Sequence, residues 1–136
     1  MLSLAGKRPA RLGVHHARLS PCPPKPNCVC SDDSAGGHAV TPFALSAPPA
    51  QAWAAARNAV LALPRTRIVA EQPDYLHAEC TSAVFGFVDD LELHLRAADG
   101  IIALRSASRL GYRDFGVNRK RVERLRVALR DAGAIG

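Results

Sequence analysis

The sequence predicts an α+β fold, in which a curved antiparallel sheet of about five strands carries two helices on one face. Two stretches, 50–63 and 118–132, have apolar residues at helical spacing. Residues 84–96 alternate between apolar and charged side chains, which is typical of a strand with one face towards the core. The Asp-Gly turn at 98–100 is short, so the strands that it joins are antiparallel. The predicted order of elements is β-α-β-β-β-β-α.

The first half of this order begins with a short strand at 40–45, which Pro42 places at a sheet edge or a strand start. Ser46 and the prolines after it predict the start of the first helix, and Pro64 ends it. The apolar stripe of this helix consists of Trp53, Ala56, Val60 and Leu63. Residues 65–70 then favour a strand, because several of them are β-branched.

The second half contains three strands and the last helix. The strands are predicted at 75–82, 84–96 and 101–108, and their short connections make them antiparallel neighbours. The last helix, 118–132, ends at Gly133. Its buried stripe consists of Val122, Leu125, Leu129 and Ala132.

The two helical stripes also predict how the layers pack. Because each helix has a single apolar stripe, both are expected to cover the same face of the sheet. The opposite face is expected to be at least partly in contact with water. Its polar residues are Glu79, Glu92, His94 and Arg96. This layout resembles TATA-binding-protein-like and helix-grip domains, a resemblance of fold that implies no function.

Length and charge indicate a small domain that attracts anions. The chain has 136 residues, enough for one domain, and its formal net charge is +6. Residues 1–20 are basic and lack a clear period, which predicts a flexible arm before a single domain at 21–136. This arm has no apolar run typical of an export signal, and no stretch approaches the ~20 apolar residues of a membrane helix. We therefore expect a cytoplasmic protein without a transmembrane segment.

Proline and cysteine are concentrated in residues 21–40, which predicts a stiff, extended loop. Cys22, Cys28 and Cys30 follow the spacing C-x5-C-x-C. Three thiols on such a loop could bind a soft metal such as copper or zinc. Cys22 and Cys28 could instead form a disulfide in an oxidising compartment, or the loop could serve only as a structural latch. The sequence leaves these three interpretations open.

Polar side chains crowd into residues 101–121, where the last strand turns into the last helix. Arginine side chains and the free N–H groups of a helix N-terminus both bind carboxylates or phosphates. We therefore predict a ligand-binding site at this corner. Its residues are Arg105, Ser106, Ser108, Arg109, Arg113, Asp114, Asn118, Arg119 and Arg121. The alternative is that Asp89, Asp90 and Asp114 pair with the arginines, and that Asp114 or Asn118 caps the helix.

A second candidate consists of Asp90, Glu92 and His94, which alternate along one strand and therefore share a face. Such a trio could bind a divalent metal or act as acid and base. The alternative is a set of cross-strand ion pairs. The expected partners in that case are His77, Arg96 and Arg105.

Two segments together resemble a known family. PCPPKPNCVCS at 21–31 is similar to the Pro-Cys-Pro-x-x-Pro-Asn-Cys-Val-Ser signature of domain-of-unknown-function family 1499. FGFVDDLEL at 85–93 and RSASRLGYRDFGVNRKRV at 105–122 resemble the second half of the same family. The resemblance covers residues 19 to 130, and Cys30 stands where the pattern usually has Ser. It implies no established activity, substrate or cofactor.

These observations favour a non-enzymatic binding module for an anionic small molecule or a protein partner, held between the 101–121 corner and the Pro/Cys loop. The alternatives are a thiol-based copper, zinc or redox protein, an enzyme that uses the acidic trio, and an adaptor for a protein partner. The sequence names no cofactor. Nucleic acid is not favoured, because only Tyr112 and Phe115 are interleaved with the basic residues, and stacking platforms need more aromatic side chains.

Overall fold

The structure is a computed structural model that describes residues 6–34, 36–83 and 85–136. Within these residues it contains eight strands and two α-helices. The strands are β1 (Val14–His15), β2 (Arg18–Leu19), β3 (Cys28–Cys30), β4 (Phe43–Ala44), β5 (Thr66–Gln72), β6 (Tyr75–Thr81), β7 (Val88–Arg96) and β8 (Ile101–Ser108). The helices are α1 (Pro49–Leu61) and α2 (Val117–Asp131). The predicted α+β class is confirmed.

The main sheet has the spatial order β3-β8-β7-β6-β5, and each strand is antiparallel to its neighbours. β4 also pairs with β8, so β3 and β4 share one edge of the sheet. The turn between β7 and β8 contains Gly100 with φ of 67°, a conformation that glycine adopts without steric cost. The predicted antiparallel sheet is therefore confirmed. β3 is an additional strand of it, and β1 and β2 form a separate two-stranded sheet.

Both helices pack on one face of the sheet and form the core with it. α2 contributes Val122, Leu125 and Leu129, which are almost completely buried, as the helical stripe predicted. Ala132 is exposed, because α2 ends at Asp131 and the chain turns back at Gly133. The sheet side of the core is formed mainly by side chains of β6, β7 and β8. These are Leu76, Ala78, Leu91, Leu93, Ile102 and Leu104.

The opposite face of the sheet is buried as well, so the prediction of a partly wet face was wrong. Glu92 is 0% exposed and Asp90 is 1% exposed. The reason is the segment before the Pro/Cys loop, which folds over this face. Leu19 packs there with Cys30, Tyr75 and Ala103 in a small second apolar cluster.

The N-terminal segment makes specific contacts with the covered face. We expected residues 1–20 to form a flexible arm, and residues 1–5 lie outside the described part of the chain. In residues 6–20, β1 and β2 form a short hairpin. The backbone N–H of Gly13 donates to the Glu92 carboxylate at 2.7 Å, and Arg8 bonds Glu79 at 2.6 Å. These contacts bring chain segments separated by more than 70 residues together.

The Pro/Cys loop is tied to the sheet by a disulfide and by strand pairing. Cys22 and Cys28 form the disulfide, which was one of the three interpretations of their spacing. Cys28 pairs with Ala107 of β8, so the loop reaches the strand that leads into the 101–121 corner. The spacing gave no sign of the three-residue strand β3, because the prolines that precede it disfavour regular structure.

Removing this disulfide is expected to lower the free energy of unfolding by about 2 kcal/mol, since the crosslink closes a short loop in the unfolded chain. The test is chemical denaturation of the oxidised protein and of the Cys22→Ser/Cys28→Ser double variant. A reductant should destabilise the wild-type protein and leave the variant unchanged. Equal stability of the oxidised and reduced wild-type protein would contradict this prediction.

Neither α1 nor α2, the helices of the described residues, has the length and apolar content needed to cross a bilayer.

Candidate binding groove

Asn118 is the centre of the corner between β8 and α2. Its side chain is fully buried and accepts a hydrogen bond from Ser106 Oγ at 2.7 Å. Its amide nitrogen donates to the Asn27 carbonyl, at 3.1 Å, and to Ser108 Oγ, at 2.9 Å. The Pro/Cys loop and the corner are thus joined through one amide group, which holds the start of α2 against β8.

Asp114 caps the first turn of α2. Its carboxylate accepts hydrogen bonds from the backbone N–H groups of Gly116 and Asn118, at 2.8 and 3.1 Å. These N–H groups would otherwise be free at the helix N-terminus. The capping interpretation of Asp114 is therefore confirmed, and its carboxylate occupies N–H groups that could have held an anion.

Arg109 is fully engaged in ion pairs on the covered face. Its guanidinium binds both oxygens of Asp90, at 2.8 Å each, and also binds Glu79. The hydrogen bonds that Arg109 donates to Asp90, the largest effect, and to Glu79 raise its pKa, although burial acts to lower it. The side chain is only 6% exposed, so Arg109 stabilises the fold and offers no charge to a ligand.

Two further arginines of the predicted site are also directed towards acids. Arg121 donates to Asp89 at 2.8 Å and to Oδ1 of the Asn118 side chain at 2.8 Å. Arg105 lies 3.8 Å from Glu92, and its Nε has no hydrogen-bond partner among the described residues. The interpretation in which Asp89 and Asp90 pair with the corner arginines therefore holds for Arg121 and Arg109. Arg105 lies near an acid, Glu92, that this interpretation did not include.

The remaining two arginines of the predicted site face outwards. Arg113 lies over the Tyr112 ring at 5.6 Å, and Arg119 donates to the Gly37 carbonyl at 3.1 Å. Arg119 lies on α2 itself. With Arg126 and Arg130 it lines a separate cavity of about 400 Å³. The structure therefore divides the nine predicted residues between a buried network and two exposed surfaces.

The acidic trio is dispersed into three separate interactions. Asp90 bonds His77 Nε2 at 2.6 Å, in addition to Arg109. Glu92 accepts from the Tyr75 hydroxyl, also at 2.6 Å. His94 accepts from Arg96 Nε at 3.0 Å. Cross-strand ion pairing, the alternative interpretation of the trio, describes the contact of Asp90 with His77. Glu92 bonds a neutral hydroxyl across the strands, and His94 bonds Arg96 of its own strand.

One group of potential metal ligands lies on this covered face. Ligand atoms of His77, Glu79 and Asp90 lie within 4.8 Å of one another. The guanidinium of Arg109 binds both carboxylates, so a cation is already supplied by the protein itself. The cluster is better described as a buried salt-bridge network than as a metal centre.

The predicted thiol ligands are in different chemical states. Cys22 and Cys28 are joined to each other, so they present no thiolate to a metal. Burial raises the pKa of the Cys30 thiol to about 11, which keeps this group protonated at neutral pH. A copper or zinc site at these three residues therefore stays a prediction for the reduced protein.

A cavity larger than the one beside Arg119 lies at the end of the sheet next to the start of α2, and we call it the groove. It has a volume of about 640 Å³. It is bounded by residues 63–66, by the adjoining ends of β6 and β7, by the connection between β8 and α2, and by the first half of α2. Ser108, Arg113, Asp114 and Arg121 of the predicted site line it.

The wall of the groove is apolar to an extent that is unusual for exposed loops. Phe85 is 62% exposed and Phe115 is 86% exposed, and Phe87 and Leu110 are both about 40% exposed. Sequence reasoning missed Phe85 and Phe87, because residues 84–96 were read as one continuous strand. Gly86 between them was the available signal, since a glycine within a strand pattern often marks its interruption. It has φ of 66°, and β7 begins only at Val88.

Cations surround this apolar wall. Lys120 and Arg124 lie one turn apart on the exposed side of α2, and Arg65 and Arg113 lie on the other sides of the groove. In residues 6–34, 36–83 and 85–136, none of these four forms an ion pair with an acid of the chain. Sequence reasoning missed Lys120 and Arg124, which looked like ordinary solvated helix residues.

Comparison with known families gives one match. A model described as "Protein of unknown function (DUF1499)" matches residues 18–129, most of the chain, and agrees with the resemblance seen in the Pro/Cys and corner segments. Comparison with the curated proteins and with the solved structures found no match. The matched region contains the disulfide-linked loop, the whole main sheet and nearly all of α2. The chain belongs to the DUF1499 family of proteins of unknown function.

Proposed function

We propose that the domain binds an amphiphilic anion in the groove, with the apolar tail on the phenylalanine wall and the carboxylate or phosphate head on the surrounding cations. The observation that carries this proposal is the combination of exposed Phe85 and Phe115 with four cations that have no acidic partner in the described chain. This function refines the anion-binding module expected from the sequence.

The apolar wall supports a tail-binding role. Large aromatic side chains that remain exposed contribute nothing to folding stability, and contiguous apolar patches commonly mark sites of interaction. The volume of about 640 Å³ lies within the range of ~300–1,000 Å³ that small-molecule sites occupy. An apolar tail laid along Phe85, Phe87 and Leu110 would remove their ring and side-chain surface from water.

The charge distribution supports an anionic head group. Arg109 is neutralised by Asp90 and Glu79, so it cannot attract a ligand. The two acids that line the groove are engaged as well: Asp89 binds Arg121 and Asp114 caps α2. The net charge available at the mouth of the groove is therefore positive, and Lys120 and Arg124 are the cations on α2 that supply it.

The competing functions receive less support. An enzyme that uses Asp90, Glu92 and His94 would need these groups to reach a substrate, and all three are buried under the N-terminal segment. A thiol-based metal site would need Cys22 and Cys28 in the reduced form, whereas they form a disulfide. A redox role of this disulfide has no further observation in its favour. An adaptor for a protein partner would use the same exposed apolar wall, and the binding experiment below separates it from the proposed function.

The charge-reversal variant Lys120→Glu/Arg124→Glu is expected to weaken binding of dodecanoate at least about fivefold, because exposed charge contacts contribute up to ~1 kcal/mol each. Displacement of the fluorescent anion 1-anilinonaphthalene-8-sulfonate by dodecanoate measures the affinity. Dodecanol and acetate, which lack the head charge and the tail respectively, should displace the probe poorly.

Arg119→Glu/Arg130→Glu is the matched control. It reverses the same number of charges on α2, but both residues line the separate cavity. Phe115→Ser should also weaken binding, whereas Val127→Ser, at a 55% exposed position of α2 outside the groove, should not. No displacement by dodecanoate, or equal affinities for the two charge-reversal variants, would refute the proposed function.

A further inference from the structure

The exposed apolar side chains of the groove belong to a larger surface at the same end of the sheet. Two of them, Phe85 and Phe115, belong to the loops before β7 and before α2. Tyr112, on the second loop, is 58% exposed but does not line the groove. We call the outward surface of these two loops the tip.

We propose that the tip docks on anionic phospholipid bilayers and that the groove takes its amphiphilic ligand from that surface. The proposal rests on the groove function above, because it names the source of the ligand. Anionic lipids present the head-group charge and the apolar chains that the groove and its surrounding cations would recognise.

Exposed aromatic side chains support docking on a bilayer. Aromatic rings are favoured at the boundary between lipid head groups and acyl chains, where Tyr can place its ring in the apolar part and its hydroxyl in the polar part. Phe115 and Phe85 are 86% and 62% exposed, and Tyr112 lies three positions before Phe115 on the same loop. Such a surface would lose its unfavourable contact with water on entering the head-group region.

The cations around the tip determine which bilayer it fits. Arg65, Arg113, Lys120 and Arg124 surround the apolar side chains and have no acidic partner among the described residues. Each Lys or Arg near an anionic membrane surface contributes favourably, and the attraction decays within a Debye length. Docking is therefore expected on vesicles that contain anionic lipid and not on zwitterionic vesicles.

A protein partner that packs on the aromatic side chains is the other candidate occupant of the tip. The charge distribution favours the bilayer. Four separate cations around an apolar patch can each meet a head group on a uniformly anionic surface, whereas a protein partner would need acids at four matching positions. A protein partner would show itself in the experiment as an absence of vesicle binding.

The test is co-sedimentation of the full chain with vesicles of phosphatidylcholine alone and with vesicles of phosphatidylcholine and phosphatidylglycerol in equal amounts. We expect binding to the mixed vesicles only, and its loss at high salt. Tyr112→Ser should lower the vesicle affinity about fivefold by removing an aromatic ring from the membrane boundary. It should leave dodecanoate affinity unchanged, because Tyr112 lies outside the groove. Val127→Ser should change neither affinity.

The two proposals fail in different ways. Dodecanoate binding without binding to the mixed vesicles overturns docking alone, as does equal binding to both vesicle types or an unchanged vesicle affinity of Tyr112→Ser. Vesicle binding without dodecanoate binding supports docking and overturns the groove function. Absence of both dodecanoate binding and vesicle binding overturns both proposals.

Discussion

Replacing Arg109 with Met is expected to lower the free energy of unfolding by about 3–5 kcal/mol, the usual effect of removing one member of a buried ion pair. The loss of the guanidinium would leave Glu79 and Asp90 as buried carboxylates without their shared cation. Met fills much of the same volume, so the effect would come from the uncompensated charges and not from a cavity. Chemical denaturation at neutral pH measures it.

The control is Arg113→Met, which removes the same guanidinium from a neighbouring exposed position of the same connection. Its only described partner is the Tyr112 ring, so the change in stability should stay within about 0.5 kcal/mol. A second variant separates charge from packing. Adding Glu79→Gln to Arg109→Met should cost less than the sum of the single changes, because both changes remove the same Arg109–Glu79 ion pair. Strict additivity would argue against the network.

The protein is expected to lose stability as the pH falls from about 4.5 to about 2, through protonation of Glu79. Burial raises the pKa of this carboxyl, but hydrogen bonds from Arg8, Arg109 and Arg67 outweigh burial and lower its pKa from 4.5 to about 2. Because the pKa is lower in the folded than in the unfolded chain, the stabilisation is fully present above pH 4.5 and is lost towards pH 2. The shift corresponds to about 3 kcal/mol.

Denaturation midpoints measured across this pH range test the effect. The difference in unfolding free energy between the wild-type protein and Glu79→Gln should be largest at neutral pH and shrink as the pH approaches 2. Glu123→Gln, whose carboxylate is 55% exposed, should follow the wild-type pH dependence. A difference between wild type and Glu79→Gln that is constant with pH would show that Glu79 has no part in the acid response. The pKa of Asp90 is also lowered: burial raises it, but hydrogen bonds from Arg109 and His77 prevail, so it acts in the same direction.

Local patterns were sufficient for most of the elements. The stripe Val122, Leu125 and Leu129 predicted α2, and the alternation around Leu91 and Leu93 predicted β7, because helical and strand periods are properties of neighbouring residues. The pattern was misread only where Gly86 interrupts it, between Phe85 and the start of β7. The positive φ of Gly86 interrupts the strand, but Gly86 had been treated as part of the apolar and polar alternation.

The corner was recognised as important, but the roles within it could not be assigned from the sequence. Nine polar residues were grouped as one ligand site, whereas Arg109 and Asn118 hold the fold together. Of the nine, four line the groove: Ser108, Arg113, Asp114 and Arg121. The local sequence around an arginine does not show whether it will lie beside Asp90 or beside an open groove, because both neighbours come from distant parts of the chain.

The sequence by itself determined the α+β class, the antiparallel pairing of the long strands, the buried faces of the helices and the family. These features depend on periodicity, turn residues and motifs within short stretches. Only the tertiary structure decided which charges are neutralised, how residues 6–20 cover the second face of the sheet, and where the groove opens. Contacts such as Arg8 with Glu79 or Arg96 with Asp32 join residues more than 60 positions apart, so they exist only once the whole chain has folded.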